Sequence, residues 1–222
     1  MNIFDIQIAT KEHSKYADQI CAEMESSAKI RGTGIAKRSC SYVRQKMEEG
    51  KAVIAFSENK QWAGFCYIET WQSGEYVANS GLIVAPAFRK EGVARLIKEK
   101  IFELSRTRYP QSKIFGLTTG LAVMKINSEL GYEPVTYSEL TNDAEFWNGC
   151  KSCVNYSILT SKDFKNCLCT AMLYQKEENK SLSNPKVTAN KLKPGNTRLI
   201  KKLARLTKLK QSVFLKIKTK LL

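Results

Sequence analysis

The stretch that most restricts the fold runs from Ser80 to Leu104: Ser80-Gly-Leu-Ile-Val-Ala-Pro-Ala-Phe-Arg89-Lys-Glu-Gly92-Val-Ala94, followed by a regular apolar pattern. Leu82-Ile83-Val84 reads as a buried strand, and Pro86 ends it because its ring nitrogen has no proton to donate to a ladder. From Val93 onward apolar residues recur at 93, 96, 97, 101 and 104 with charges between them, the period of a helix packed on a sheet. Between strand and helix lies Arg89-x-x-Gly92-x-Ala94. Its small residues allow close approach of a ligand to the backbone, and the first helical turn points free N–H groups outward, an arrangement suited to a pyrophosphate.

Arg-x-x-Gly-x-Ala after a strand ending in Val-x-Pro resembles the acyl-coenzyme A loop of the GNAT N-acetyltransferase superfamily. Downstream, Lys113 to Thr118 reads as a strand and Leu121 to Leu130 as a helix. Gly131-Tyr132 supplies the helix C-cap and the Leu-Gly-Tyr ending typical of that superfamily. The resemblance implies an α/β (α+β) fold with a mixed, mostly antiparallel central sheet flanked by helices. Acyl-coenzyme A would lie across Ile83, Val84 and the loop of Arg89, Lys90, Glu91, Gly92, Val93 and Ala94.

Taken in order, Ile3 to Ile8 alternates like a half-buried strand, and Thr10-x-x-His13 begins a helix to about Ala28. His13 is the chain's one histidine, which removes most histidine-based mechanisms; in a first helical turn it reads as a surface residue. The basic, Gly-rich segment Lys29 to Ser39 leads to a short helix, Ser41 to Glu49. Ala52–Phe56 and Trp62–Trp71 form a hairpin, and Tyr76–Val84 continues the meander. In GNAT folds the segment joining the first two helices lies over the acceptor, so the resemblance places Arg31, Lys37 and Arg38 there. Guanidinium groups bind carboxylates bidentately, and the plainer alternative is a solvated charged loop.

The superfamily often has a Glu general base on the donor strand and a Tyr general acid before the Leu-Gly-Tyr ending. Here Ala78, Asn79 and Ser80 hold the first place and Asn127 the second. A protonated amine must still lose a proton before attack. Glu69 and Glu75, on or near the neighbouring strand, are the candidate bases, with a surface position the alternative for each.

After Leu140 the pattern changes. Residues 141–169 read as a Cys-rich insertion and Asn166 to Tyr174 as a final strand, giving Cys150-x2-Cys153-x13-Cys167-x-Cys169. The first pair has the knuckle spacing of thiolate sites, and two cysteines two apart on a strand share a face, so the spacing predicts one structural zinc. Buried reduced thiols or a redox pair are the alternative. Seven cysteines and no recognisable secretion signal argue against a disulfide framework and for the cytoplasm.

The stretches Arg31–Arg38, Gly64–Glu69, Phe115–Lys125 and Phe146–Cys153 are similar to bacterial N-acetylglutamate synthase-like GNAT proteins associated with arginine biosynthesis, over roughly residues 1–175. That likeness implies acyl transfer from acetyl- or succinyl-coenzyme A to the α-amine of glutamate. Acylation of another small-molecule amine or a protein, or a non-catalytic zinc-stapled module, are the alternatives.

Net charge is +15, and residues 176–222, with 14 Lys/Arg against 2 Glu, supply +12 of it. Residues 176–197 read as a flexible linker and 198–222 as a basic amphipathic helix. An anionic membrane surface or an acidic partner suits that helix, as does simple solvation. With Phe214 as its lone aromatic, specific nucleic-acid recognition is not expected.

Overall fold

A computed structural model describes residues 3–32 and 36–176. The residues proposed as linker and basic helix lie outside the described residues except for Lys176, as do residues 33–35 of the acceptor loop.

Seven strands form one sheet: β1 (Phe4–Ile8), β2 (Ala52–Ser57), β3 (Trp62–Trp71), β4 (Tyr76–Val84), β5 (Lys113–Thr118), β6 (Glu133–Val135) and β7 (Thr170–Tyr174). Their spatial order is β1-β2-β3-β4-β5-β7-β6, antiparallel throughout except where β4 meets β5. The helices are α1 (Ala17–Arg31), α2 (Cys40–Glu48), α3 (Val93–Arg108), α4 (Leu121–Glu129), α5 (Ala144–Asn148) and α6 (Tyr156–Ser161). The mixed α/β architecture expected from the sequence is the one observed. No helix among the described residues is long and apolar enough to cross a membrane.

Both faces of the central strands are covered, which is why β2 and β3 are apolar almost without alternation. On one face Ile20 and Met24 of α1 and Val43 and Met47 of α2 pack with Ile54, Phe65 and Tyr67. On the other, Val93, Ile97, Ile101 and Leu104 pack with Val53, Ala63 and Cys66, while Leu96, the fifth position anticipated for the α3 stripe, is exposed.

Two local expectations change. The first helix opens as a 3-10 turn, Lys11–Tyr16, before α1. At its start the Thr10 N–H donates to His13 Nδ1 at 2.9 Å, so the histidine caps a turn. The last strand begins at Thr170, and Cys167 and Cys169 precede it in irregular backbone, without the shared strand face on which the zinc expectation depends.

Candidate active site at a fork in the sheet

β4 and β5 run side by side only where Tyr76, Val77 and Ala78 meet Lys113, Ile114 and Phe115. Both strands continue, but past Ala78 and Phe115 they part, leaving a fork. β4 also carries a bulge. Phe65 faces Ile83 and Tyr67 faces Ser80, so two steps on β3 are matched by three on β4. The extra residue lies at Gly81–Leu82, and Gly81 has φ +65°. A bulged residue leaves ladder groups unpaired and re-aims the strand. No side chain fits at Gly81, where a Cβ would stand 2.3 Å from Cε1 of Tyr67.

A cavity of about 210 Å³ occupies the fork. Asn79 to Leu82 line one wall, Gly116 to Gly120 the other, and Lys98 of α3 and Asn127 of α4 also face it. Asn127 is 1% exposed; its Nδ2 reaches Met172 Sδ at 3.7 Å, and its Oδ1 has no hydrogen-bond partner among the described residues. An orphaned buried acceptor is costly unless a ligand donor meets it.

α3 begins nine residues after β4 ends, and none of Arg89 to Ala94 is among the residues that line the fork cavity. The N-cap of α3 is Gly92 at φ +88° with no side-chain cap, and a Cβ there would meet nothing within 4 Å. Lys90 and Glu91 are exposed, Val93 is buried, and Ala94 is half-buried. Arg89 turns inward. Its Nη2 donates to Glu23 Oε1 at 2.7 Å and Ser27 Oγ at 2.8 Å, and its Nε donates to the Val84 carbonyl at 3.2 Å. The arginine therefore ties the loop to α1, and what the loop itself offers a ligand is backbone N–H and the positive end of a 16-residue helix. Ile83 is buried in the core and Val84 half-buried.

Toward α1 and α2 the cavity meets Arg31, Arg38 and Tyr67. Arg38 Nε donates to Tyr67 Oη at 2.7 Å, and Tyr42 Oη donates to Glu69 Oε1 at 2.6 Å. Burial works against the charge on Arg38, but Tyr67 and Glu69 beside it outweigh that and raise its pKa. Burial, and then the charge of Glu69, pushes the Tyr42 phenol well above its ordinary range. Lys37 is exposed; its backbone N–H donates to Ser152 Oγ at 2.8 Å, and it lines a second cavity of about 550 Å³ between α1 and the segment Ala36 to Ser39. Arg38 borders both cavities.

Glu69 is 5% exposed on β3, behind Tyr42. Glu75 is exposed at the start of β4, 3.4 Å from Lys113 Nζ, and does not line the fork. Of the two carboxylates only Glu69 is brought near the cationic wall. Lys98 is a site residue that the sequence does not single out. Its place within a helix stripe offers no signal, because recognising it requires the fork.

The zinc expectation finds no support in the structure. Among the described residues no group of three or more His, Cys, Asp and Glu is placed to hold a metal ion. Cys150, Cys153, Cys167 and Cys169 line one small cavity, yet two of them engage Asn155. Cys153 Sγ accepts from the Asn155 N–H at 3.5 Å, and Cys167 Sγ lies 3.8 Å from the Asn155 carbonyl oxygen. Burial, reinforced by Cys153, raises Cys150 to about 11; burial and Cys167 raise Cys169 to about 12. These two are protonated thiols at neutral pH. Cys150, Cys153 and Cys169 also reach the fork cavity.

No protein-family model matches the chain, and no curated protein does. Solved structures do. N-acetylglutamate synthase from Neisseria gonorrhoeae, complexed with coenzyme A and N-acetyl-glutamate, is 16% identical with a TM-score of 0.56 over 78% of this chain and 35% of its own. A Mycobacterium tuberculosis protein in complex with CoA is 12% identical with a TM-score of 0.56, over 78% of this chain and 99% of its own. The yncA protein of Salmonella typhimurium, with its cofactor acetyl-CoA, is 14% identical with a TM-score of 0.50, over 78% and 94%. This chain spans about a third of the length of the synthase. With its strand order, its bulged fourth strand and the fork beside it, the chain has the GNAT acetyltransferase fold.

Proposed function

We propose that the chain transfers an acyl group from acyl-coenzyme A to the α-amine of an acidic amino acid, glutamate before others. The observation that carries this reading is the fork itself, with two guanidinium groups, Arg31 and Arg38, lining its cavity, together with the uncapped start of α3 in the chain that follows β4. Carboxylates suit the guanidinium groups and a diphosphate suits the helix start. In this reading the arm of the donor lies along the unpaired edge of β4, where backbone groups freed by the bulge meet the thioester carbonyl.

The acceptor enters from the groove between α1 and the segment Ala36 to Ser39, which Arg38 borders while Tyr67 holds its guanidinium. Its amine must lose a proton to attack. Glu69, two residues along β3 from Tyr67 on the same face, is the proton acceptor we assign, reached through a water or the Tyr67 hydroxyl. Acetyl- and succinyl-coenzyme A are both candidate donors. A role in arginine biosynthesis belongs to the same proposal, supported by the likeness to the synthase. Membrane or acidic-partner binding through residues 198–222 is proposed from the sequence alone.

Arg38→Ala is expected to raise the KM for glutamate by roughly one to two orders of magnitude, from about 1.5–3 kcal/mol for a charged hydrogen bond. Arg38→Lys should recover only part of it, because an ammonium cannot make the bidentate contact. Steady-state kinetics at saturating acetyl-coenzyme A make the test. An unchanged KM in both Arg38→Ala and Arg31→Ala removes the two residues from the acceptor site.

A further inference from the structure

Lys98 is the buried charge that the proposed transfer leaves unused. It sits one and a half turns into α3, is 2% exposed, and lines the fork cavity. Among the described residues it has no carboxylate partner: Nζ lies 3.4 Å from Asn79 Oδ1 and 5.2 Å from the centre of the Tyr132 ring. The titratable groups facing it are Cys66 on β3 and Tyr132 at the entry to β6. Asn79 in turn is fixed by three contacts. Tyr132 Oη donates to its Oδ1 at 2.9 Å, and its Nδ2 donates to Ser105 Oγ at 2.8 Å, while Lys98 takes the remaining side of Oδ1.

Burying an unpaired ammonium is costly, and an anion arriving in the cavity would offset the desolvation. Two anions could arise at this point: the thiolate released when a thioester is cleaved, or the end carboxylate of a dicarboxylic acyl group. Asn127 lines the same cavity, but its Oδ1 is enclosed rather than open to it. A thiolate is released whichever acyl group is transferred, whereas the carboxylate arises only from a dicarboxylic donor.

Resting on the acyltransferase reading, we propose that Lys98 is the proton donor to the departing coenzyme A thiolate. As the acceptor nitrogen bonds to the acyl carbon, the carbon–sulfur bond breaks and its electron pair leaves on sulfur. The Nζ proton passes to sulfur, giving a free thiol and a neutral amine. The proton shed by the acceptor nitrogen goes to solvent by way of Glu69, and solvent returns one to Lys98. Burial lowers the Lys98 pKa, with Cys66 opposing it only in part, which makes the ammonium a ready donor.

The test uses the full chain with Lys98→Met, which keeps the stem's volume, and Lys98→Ala. Three readouts are taken: coenzyme A affinity by calorimetry, the thiol ionisation of bound coenzyme A by ultraviolet absorbance, and turnover with L-glutamate. Lys98→Met should bind coenzyme A as the parent does. The bound thiol should titrate at least one pH unit higher in Lys98→Met than in the parent. Turnover should fall by about 10²–10⁴-fold, the range for a general acid. The parent's turnover should decline at alkaline pH as Lys98 loses its proton, and the variant should lack that limb. Trimethylamine, which carries a proton but cannot be acylated, should restore part of the turnover of Lys98→Ala. Equal thiol titration and equal turnover in parent and Lys98→Met overturn the proposal while leaving the acyltransferase reading intact. A loss confined to succinyl-coenzyme A, with acetyl-coenzyme A unaffected, overturns it in favour of carboxylate binding. A parent that does not bind coenzyme A overturns the acyltransferase reading and this proposal together.

Discussion

Gly81→Val should destabilise the protein by about 2–5 kcal/mol and remove transferase activity with it. Two costs add. Gly81 stands at φ +65°, which costs an L-residue about 1–2 kcal/mol. The new Cβ would also lie 2.3 Å from Cε1 and 2.9 Å from Cδ1 of Tyr67, and overpacking of that kind costs about 1–3 kcal/mol. The ring has little room to retreat, since Tyr67 is fully buried with its hydroxyl held by Arg38, and the new Cβ would also stand 3.1 Å from Met24 Cε. A strand that straightened to relieve the clash would lose the bulge that opens the fork. Urea unfolding should show a lower midpoint at unchanged slope, and thermal unfolding a fall of about 5–15 °C. A Gly81→Val protein as stable as the parent would show that Tyr67 does not pack against this bulge.

Gly92→Glu should lower coenzyme A affinity by about two orders of magnitude with little change in stability. Here the space is open, with nothing within 4 Å of the point a Cβ would occupy, so no clash arises. Strain from φ +88° costs about 1–2 kcal/mol, and a carboxylate at a helix N-terminus returns about 0.3–1 kcal/mol. Against a diphosphate the same carboxylate is a like charge at close range, worth about 4 kcal/mol at 4 Å in an effective dielectric of 20 before relaxation. Gly92→Ala separates the causes, because it shares the strain and lacks the charge; it should bind within a few-fold of the parent. Glu and Ala variants that both bind like the parent would take the α3 N-terminus out of the donor site.

Much of the fold is legible in the sequence because the signals are local. Pro86 marks the end of β4, the stripe at 93, 97, 101 and 104 marks α3, and the dense apolar runs of β2 and β3 announce strands covered on both sides. The sites are legible only where chemistry and chain neighbourhood coincide. Arg38 is visible as a cation beside an acceptor loop, but its grip on Tyr67 depends on a contact 29 residues away. Arg89 reads locally as a phosphate ligand, since nothing near it in the chain shows that Glu23, 66 residues earlier, holds it. The four cysteines have a metal-site spacing, yet their placement depends on Asn155 and on a strand that starts three residues later than Cys167. Lys98 follows an apolar residue within α3 and reads as one more charge on a helix; only the parting of β4 from β5 turns it toward a cavity.

Incubating the purified protein with acetyl-coenzyme A or succinyl-coenzyme A and single amino acids, while following the appearance of free coenzyme A thiol, tests the central claim most directly. The account predicts thiol release that depends on an added amino acid, is fastest with L-glutamate, and yields the N-acylated product in equal amount by mass spectrometry. Absence of release with every amino acid and with both donors would contradict it.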